Sequence, residues 1–406
     1  MNFDVHSIRK DFPILSRQIG KNPLIYFDNA ASSQKPRAVI DSIVHTYSHE
    51  YANVHRGTHY MARAVTESYE GARRKVCDFL NASSEKEIIF TRSATEGINL
   101  VSYAWGIPHI KEEDEIVISV MEHHSNIVPW NFLREHQGAR IVWAPIDRQG
   151  VLNIDAFEKC LTERTKLIAI THMSNVLGTL VPIKEICRIA HKRHIPVLVD
   201  GSQAAVHTKV DVQDLDCDWY VFTGHKIYGP DGIGVLYSKE HRLNSMRPFM
   251  GGGEMIADVR QDYVSYADIP NRFEAGTPPI SQVIALGSAL DYINSLNQES
   301  IFSYEKELAR YTRSQLKEID GLRLVNDEIE DSPIISFQMK DVHPYDLSFF
   351  LDKKGIAVRS GRQCAFPLLD FLGFDFICRA SLAMYNTKEE SDKFVAALKK
   401  SYRFFL

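Results

Sequence analysis

Eight short apolar runs rich in branched side chains, at 24–27, 87–90, 115–120, 140–144, 166–171, 196–199, 219–222 and 232–237, alternate with stretches of helical periodicity. Strands separated in this way by helices pair through crossovers, so the alternation dictates an α/β fold with a mostly parallel sheet. Several runs are apolar at successive positions, as strands covered on both faces must be. Ligands of such sheets bind beyond the carboxyl ends of the strands. Asn29, His123, Asn175, Asp200 and Lys226 all fall there, which converges five polar residues on one edge.

After 276–279 the pattern changes. Helical spacing over 284–296 and 299–319 reads as a connector, followed by strand-like runs at 322–325, 333–338, 356–358 and 379–383 and helices at 345–353 and 387–403. This is the pattern of a smaller α+β domain, packed with the segment before Lys21. A chain of 406 residues, 44% hydrophobic, can bury cores of that number and size. Its net charge of −5, with both signs interspersed, leaves no footprint for nucleic acid or for an anionic membrane. No run approaches the roughly 20 apolar residues that span a bilayer, and residues 1–9 lack the apolar centre of a signal peptide. The expected location is the cytoplasm.

Lys226 follows the apolar run 219–222 and precedes a turn-rich segment, 228–234. A loop lysine is most often a solvated charge, but one held at a sheet edge can lose its proton by desolvation and attack a carbonyl. Asp200 ends another run, where an aspartate commonly caps the next helix. Together the two residues suit pyridoxal phosphate, which needs an amine for its aldehyde and a carboxylate for its pyridinium nitrogen. Gln203 can reach the ring oxygen and His123 can stack on the ring, although a histidine alone is more often a satisfied structural one. Segment 91–97, with Ala94 and Thr95 ahead of a helix, offers hydroxyl and amide donors where anions are favoured. Thr223 and His225 add donors beside Gly224.

The six cysteines, Cys77, Cys160, Cys187, Cys217, Cys364 and Cys378, form no CxxC pair and are too scattered for a disulfide framework. Cys364 differs from the rest by following Arg359-Ser360-Gly361-Arg362-Gln363, and it is the candidate sulfur nucleophile. No metal spacing emerges, and the glycines at 251–253 do not follow a strand in the dinucleotide-binding pattern.

Taken together, Asp28-Asn29-Ala30-Ala31-Ser32, His55-Arg56-Gly57, Glu122-His123-His124-Ser125-Asn126, Ser174-Asn175, Asp200-Gly201-Ser202-Gln203, Thr223-Gly224-His225-Lys226, Phe273-Glu274-Ala275-Gly276-Thr277 and Cys378-Arg379-Ala380-Ser381 closely resemble the group II, SUF-type cysteine desulfurases, which also act as selenocysteine lyases, within the class V, fold type I pyridoxal-phosphate enzymes. The resemblance covers essentially the whole chain. It implies an α/β large domain, 23–294, with a mostly parallel seven-stranded sheet flanked by helices, and a smaller α+β domain, 295–406 together with 1–22, carrying the Cys364 loop.

It further implies Lys226 as the Schiff-base lysine, Asp200 on the pyridine nitrogen, His123 on the ring face and Gln203 on the ring oxygen. Ala94, Thr95, Thr223 and His225 would surround the phosphate, with Thr277 arriving from the second subunit of a homodimer. Arg379, Asn175 and Arg359 would hold the substrate carboxylate. L-cysteine, or L-selenocysteine, would lose its sulfur or selenium, Cys364 would carry the persulfide, and a SufE- or SufU-type acceptor would pass the sulfur to a SUF scaffold for iron–sulfur cluster assembly.

Two positions depart from the family pattern. Ala94 stands where a threonine is usual, which removes a hydroxyl and keeps an amide. Arg362 stands where a histidine is usual, and a permanent cation there is expected to favour the Cys364 thiolate. Other readings are a class V aminotransferase or epimerase, a dedicated selenocysteine lyase, and a non-enzymatic scaffold, which would have no use for Lys226.

Overall fold

The computed structural model describes residues 3–405. Its centre is a seven-stranded sheet made of β1 (Ile88–Thr91), β2 (Glu115–Ser119), β3 (Arg140–Ala144), β4 (Thr165–Thr171), β5 (Val197–Asp200), β6 (Trp219–Thr223) and β7 (Gly234–Ser238), in the order β1-β7-β6-β5-β4-β2-β3. All pairings are parallel except those of β7, which runs antiparallel between β6 and β1. The apolar runs are explained by their two covered faces. Ile88, Phe90, Val117, Ile168, Ile170, Val197, Val199, Tyr220 and Phe222 enter one core, whereas Ile89, Ile116, Ile118, Leu167, Ala169, Leu198, Trp219 and Val221 enter another. Successive residues of these strands thus alternate between two buried layers, except on the edge strand β3, where Arg140 and Trp143 are exposed.

Helices flank this sheet. α1 (Tyr60–Leu80) presents Val65, Tyr69, Ala72 and Val76 to the first core, and α2 (Ala94–Val101) presents Ile98 and Val101 to the second. α3 (Ile280–Ser295) packs on α1 and leads directly into α4 (Gln298–Lys317). The smaller layer is an antiparallel sheet of β8 (Leu322–Leu324), β9 (Ile334–Met339), β10 (Arg359–Gly361) and β11 (Ile377–Ser381), in the order β8-β9-β11-β10, with helices α5 (Pro344–Asp352), α6 (Phe366–Leu372) and α7 (Lys388–Phe405). Leu308, Leu316, Phe337, Leu347, Phe394 and Leu398 form its core.

Two details differ from the sequence reading. The run at 24–27 does not join the large sheet, because Ile25–Tyr26 pairs in parallel with Ile356–Ala357. The run at 356–358 is accordingly spent on that two-stranded pairing, and the small sheet takes the polar segment Arg359–Gly361 as its edge instead. Edge strands need only one apolar face, so a three-residue polar strand leaves no periodic signal.

Candidate active site

The strand ends build one cavity of about 260 Å³, lined by Ala94, Thr95, His123, Asn175, Asp200, Gln203, Thr223, His225, Lys226, Arg359, Cys364 and Arg379 among others. Every site residue proposed from the sequence lines this cavity except Thr277, which is exposed on the loop before α3.

Lys226 closes a single 3-10 turn, Gly224–Lys226, immediately after β6. The turn is pinned through the His225 carbonyl, which accepts from the Ser33 backbone N–H at 3.1 Å and from Lys35 Nζ at 2.8 Å. Burial lowers the Lys226 ammonium to about 8, against the opposing pull of Asp200. The amine is therefore partly neutral, and nucleophilic, near neutral pH. Asp200 is itself buried, and its Oδ1 accepts from the Ser202 N–H at 3.0 Å and the Ser202 hydroxyl at 2.6 Å. Its Oδ2 carries neither bond.

His123 is oriented by its neighbour: the Ser125 N–H donates to His123 Nδ1 at 3.2 Å, which puts the ring proton on Nε2. Burial, with Lys226 next, pushes this imidazole down to about 4, so it stays neutral at physiological pH. The Ser125 hydroxyl lies 3.0 Å from His123 Nδ1 and 2.7 Å from Thr95 Oγ1, joining the imidazole to the threonine at the start of α2. His225 is likewise held down to about 4, first by burial and then by Lys226. Strand β7 passes directly beneath the α2 N-terminus. A Cβ on Gly234 would strike the Ser93 backbone and stand 2.8 Å from the Ala94 nitrogen, so only glycine lets the strand run there.

The opposite wall comes from the small layer. Arg379, on β11, is 2% exposed, and its Nη1 donates to the Asn175 carbonyl at 2.8 Å. The Asn175 amide donates to the Gln363 carbonyl at 2.8 Å. Cys364 is exposed, unpaired with any other cysteine, and stands with Gln363 in the left-handed region at φ +54° and +53°. Two successive non-glycine residues there store about 1 kcal/mol or more each. The Cys364 carbonyl accepts from the His124 N–H at 2.9 Å, and His124 Nε2 accepts from the Phe366 N–H at 3.2 Å.

The Arg362 guanidinium is engaged by neighbours on α6. It is paired with Asp370 and lies 4.2 Å from the Phe366 ring centroid, and its charge still reaches His124. Ala94 keeps its backbone amide at the start of α2, consistent with the loss of a hydroxyl alone.

The arrangement fits pyridoxal phosphate and an amino acid. A buried carboxylate without a salt bridge suits a protonated ring nitrogen, and a lysine of lowered pKa suits an aldehyde. Among the described residues, Arg379 Nε, Asn175 Oδ1 and Gln363 Oε1 are buried without hydrogen-bond partners, and all three residues line the cavity. Unpaired buried polar atoms are costly, so a donor and two acceptors aimed into one cleft mark where a ligand completes the protein.

Asp28, His124 and Ser125 stand in the motifs quoted above, but the sequence did not assign them these roles. Asp28 accepts from Arg359 and faces Arg379 from more than three hundred positions away in the chain. No periodicity reports such a contact.

Comparisons with known proteins agree with this construction. The class-V aminotransferase family matches residues 25–394. A cysteine desulfurase of Cronobacter sakazakii is 47% identical over 404 residues, 99% of both chains. One of Synechococcus elongatus is 46% identical over 400 residues, 98% of this chain, which spans only 64% of that longer relative. The crystal structure of the cysteine desulfurase CsdA from Escherichia coli superposes with a TM-score of 0.93 at 37% identity over the whole of both chains.

Proposed function

The chain belongs to the class-V aminotransferase family and, within it, to the pyridoxal-phosphate-dependent cysteine desulfurases, and from that premise we propose that it takes the sulfur of L-cysteine, releases L-alanine and keeps the sulfur as a persulfide on Cys364. The observation that carries this reading is the meeting of Lys226, Asp200, His123, Arg379 and Cys364 in one cavity.

Pyridoxal phosphate bound at Lys226 supplies an electron sink for the charge that develops at the substrate Cα. Asp200 would hold the ring nitrogen protonated, His123 would cover the ring, and Gln203 would donate to the ring oxygen. Ala94, Thr95, Thr223 and His225 would enclose the phosphate at the α2 N-terminus, where amide donors favour an anion. Arg379, Arg359 and Asn175 would fix the substrate carboxylate. The Lys226 amine, lowered to about 8, is matched to moving a proton at Cα near neutral pH. The Cys364 thiolate would then attack the substrate sulfur. A sulfur–sulfur bond forms, the carbon–sulfur bond breaks, and Cβ gains a proton, so cysteine and thiol become alanine and persulfide.

The finer reading follows the group II resemblance. L-selenocysteine would be a second substrate because selenium leaves carbon more readily. A SufE- or SufU-type acceptor would collect the persulfide from the exposed Cys364 for iron–sulfur assembly on a SUF scaffold, in the cytoplasm. A homodimer is supported by Thr277, which stands outside its own cavity, and by exposed Tyr47, Tyr51, Tyr60 and Tyr266. We propose the domain boundary at 294–295, at the last turn of α3; beyond it Leu308 and Leu316 of α4 enter the small-sheet core, while Ile301 still packs with the large one.

Incubating the holoenzyme with L-cysteine and no reductant tests the proposal. One sulfur added to the peptide holding Cys364, together with released alanine, is expected. Alanine without a sulfur on that peptide, at an undiminished rate in Cys364→Ala, would exclude the persulfide route.

A further inference from the structure

Asp28 is the one carboxylate between the two arginines of the cavity wall. Its Oδ1 lies 3.2 Å from Arg359 Nε and 3.5 Å from Arg379 Nη2, and its Oδ2 lies 3.3 Å from Arg359 Nη2. Arg359 thus makes three hydrogen bonds to Asp28, whereas Arg379 has one contact well beyond the about 2.7–2.9 Å of a tight charge-assisted pair. The Asp28 backbone is fixed: it bridges Ser381, and its carbonyl accepts from the Ala31 N–H at 3.1 Å and the Ser32 N–H at 3.3 Å. The carboxylate is therefore tethered at its Cα, and an arginine that turns toward a ligand in the cavity stretches these contacts. Two positive charges against one negative leave this wall short of an anion, and the unpartnered Arg379 Nε shows where that anion belongs.

We propose that Asp28 is a positioning residue for substrate recognition, a resident carboxylate that aims Arg359 and Arg379 into the cavity and yields part of their charge to the carboxylate of the incoming amino acid. This rests on the reading above that those arginines take the substrate carboxylate. Burial draws Arg379 down to about 10, and Asp28 is the foremost group opposing that fall. Asp28 thus does two things at once. It favours the charged form of the buried guanidinium, and it competes with the substrate, so binding is an exchange of carboxylates that costs affinity and gains alignment.

The test is calorimetric binding of 3-mercaptopropionate to the holoenzyme, since this probe has the carboxylate and thiol of cysteine but no amine. In Asp28→Asn, Kd is expected to fall about threefold or more, the scale of a partly exposed ion pair, while kcat with cysteine also falls because the arginines lose their aim. Asp28→Ser is the second variant, so a folding defect in one does not remove the test. A merely structural role would weaken binding and turnover together, and an unchanged or raised Kd in both folded variants overturns the proposal. Arg379→Ala separates the two layers of argument: Kd must rise there, and an unchanged value would overturn the substrate-site reading itself.

Discussion

His124 holds Cys364 by its backbone, donating its N–H to the Cys364 carbonyl at 2.9 Å while its ring accepts from Phe366 two residues further on. The strained left-handed pair at 363–364 is thereby bracketed, with Asn175 securing the Gln363 carbonyl on the other side. The nucleophile is exposed, yet its main chain is tied to both layers of the protein.

Removing the His124 ring should loosen that bracket without touching the cofactor. In His124→Ala the Phe366 N–H loses its acceptor, a bond of about 1 kcal/mol, so persulfide formation should slow roughly fivefold. Hydrogen exchange of peptides covering 361–366 should rise, and the cofactor's absorbance should stay unchanged. Because burial and Arg362 lower the His124 pKa, the clamp should persist through mildly acidic pH and fail only below the usual histidine range.

Lys226 gives a stability signature in the apoprotein. Its folded pKa, about 8, lies below the ordinary lysine value of 10.5, so between those two pH values the unfolded chain binds the extra proton. Stability contributed through this residue should accordingly rise with pH from about 8 to 10.5, and Lys226→Met should flatten that rise. Thermal melts of both apoproteins across the window check the sign.

Glu122 should behave in the opposite way. It is fully buried, accepts from Ser119 Oγ at 2.6 Å and Asn126 Nδ2 at 2.7 Å, and burial raises it to about 8. Between about 4.5 and 8 the folded state holds the extra proton, so its contribution should fall as pH rises through that window. Glu122→Gln, which imitates the neutral acid, should melt higher than wild type at pH 8 and no higher at pH 5.

Arg362 is paired with Asp370, so a neutral residue in place of the arginine should change Cys364 little. Asp370→Ala should have the larger effect, because it frees the guanidinium beside the loop. Alkylation of Cys364 by anionic iodoacetate should quicken about twofold in Asp370→Ala and lose that gain at high salt, with Arg362→His close to wild type. Equal rates in all three proteins would show that the guanidinium never reaches the thiol.

Breaking Arg73–Glu274 should be costly. Arg73 is 1% exposed and meets Glu274 at 2.7 Å, with Tyr69 and the Phe90 N–H completing the carboxylate's bonds. Loss of Glu274 leaves Arg73 with Glu70 at 2.8 Å as its remaining carboxylate, so the cost should sit at the low end of the range for a broken buried pair, about 3 kcal/mol. Urea unfolding of Glu274→Ala should report a loss of that size.

The large sheet was legible because doubly covered strands must be apolar at every position, and such runs stand out in a chain that is 24% charged. The site was legible where a polar residue ends such a run, as Asp200 and Lys226 do. The small sheet was harder. Ile356–Ala357 has the apolar pattern of a strand in it but pairs with Ile25–Tyr26, a choice made by tertiary contact that local pattern does not encode. The roles of Asp28, Ser125 and His124 were hidden for a related reason: each acts through a few polar contacts to distant residues, and such contacts leave no periodicity. Arg362 shows the converse, since its charge was plain in the sequence and the partner that engages it was not.

Glu274, anchored by Arg73, lies only three residues before Thr277, the one expected phosphate ligand that its own cavity does not receive. A loop rooted so firmly in its own core is a fixed prong. If copies of the chain pair as proposed, each would supply a finished part to the other, and neither cavity could be completed by a swinging arm from within. Dilution that separates the copies should then loosen the cofactor in both sites together, which makes the working unit the pair.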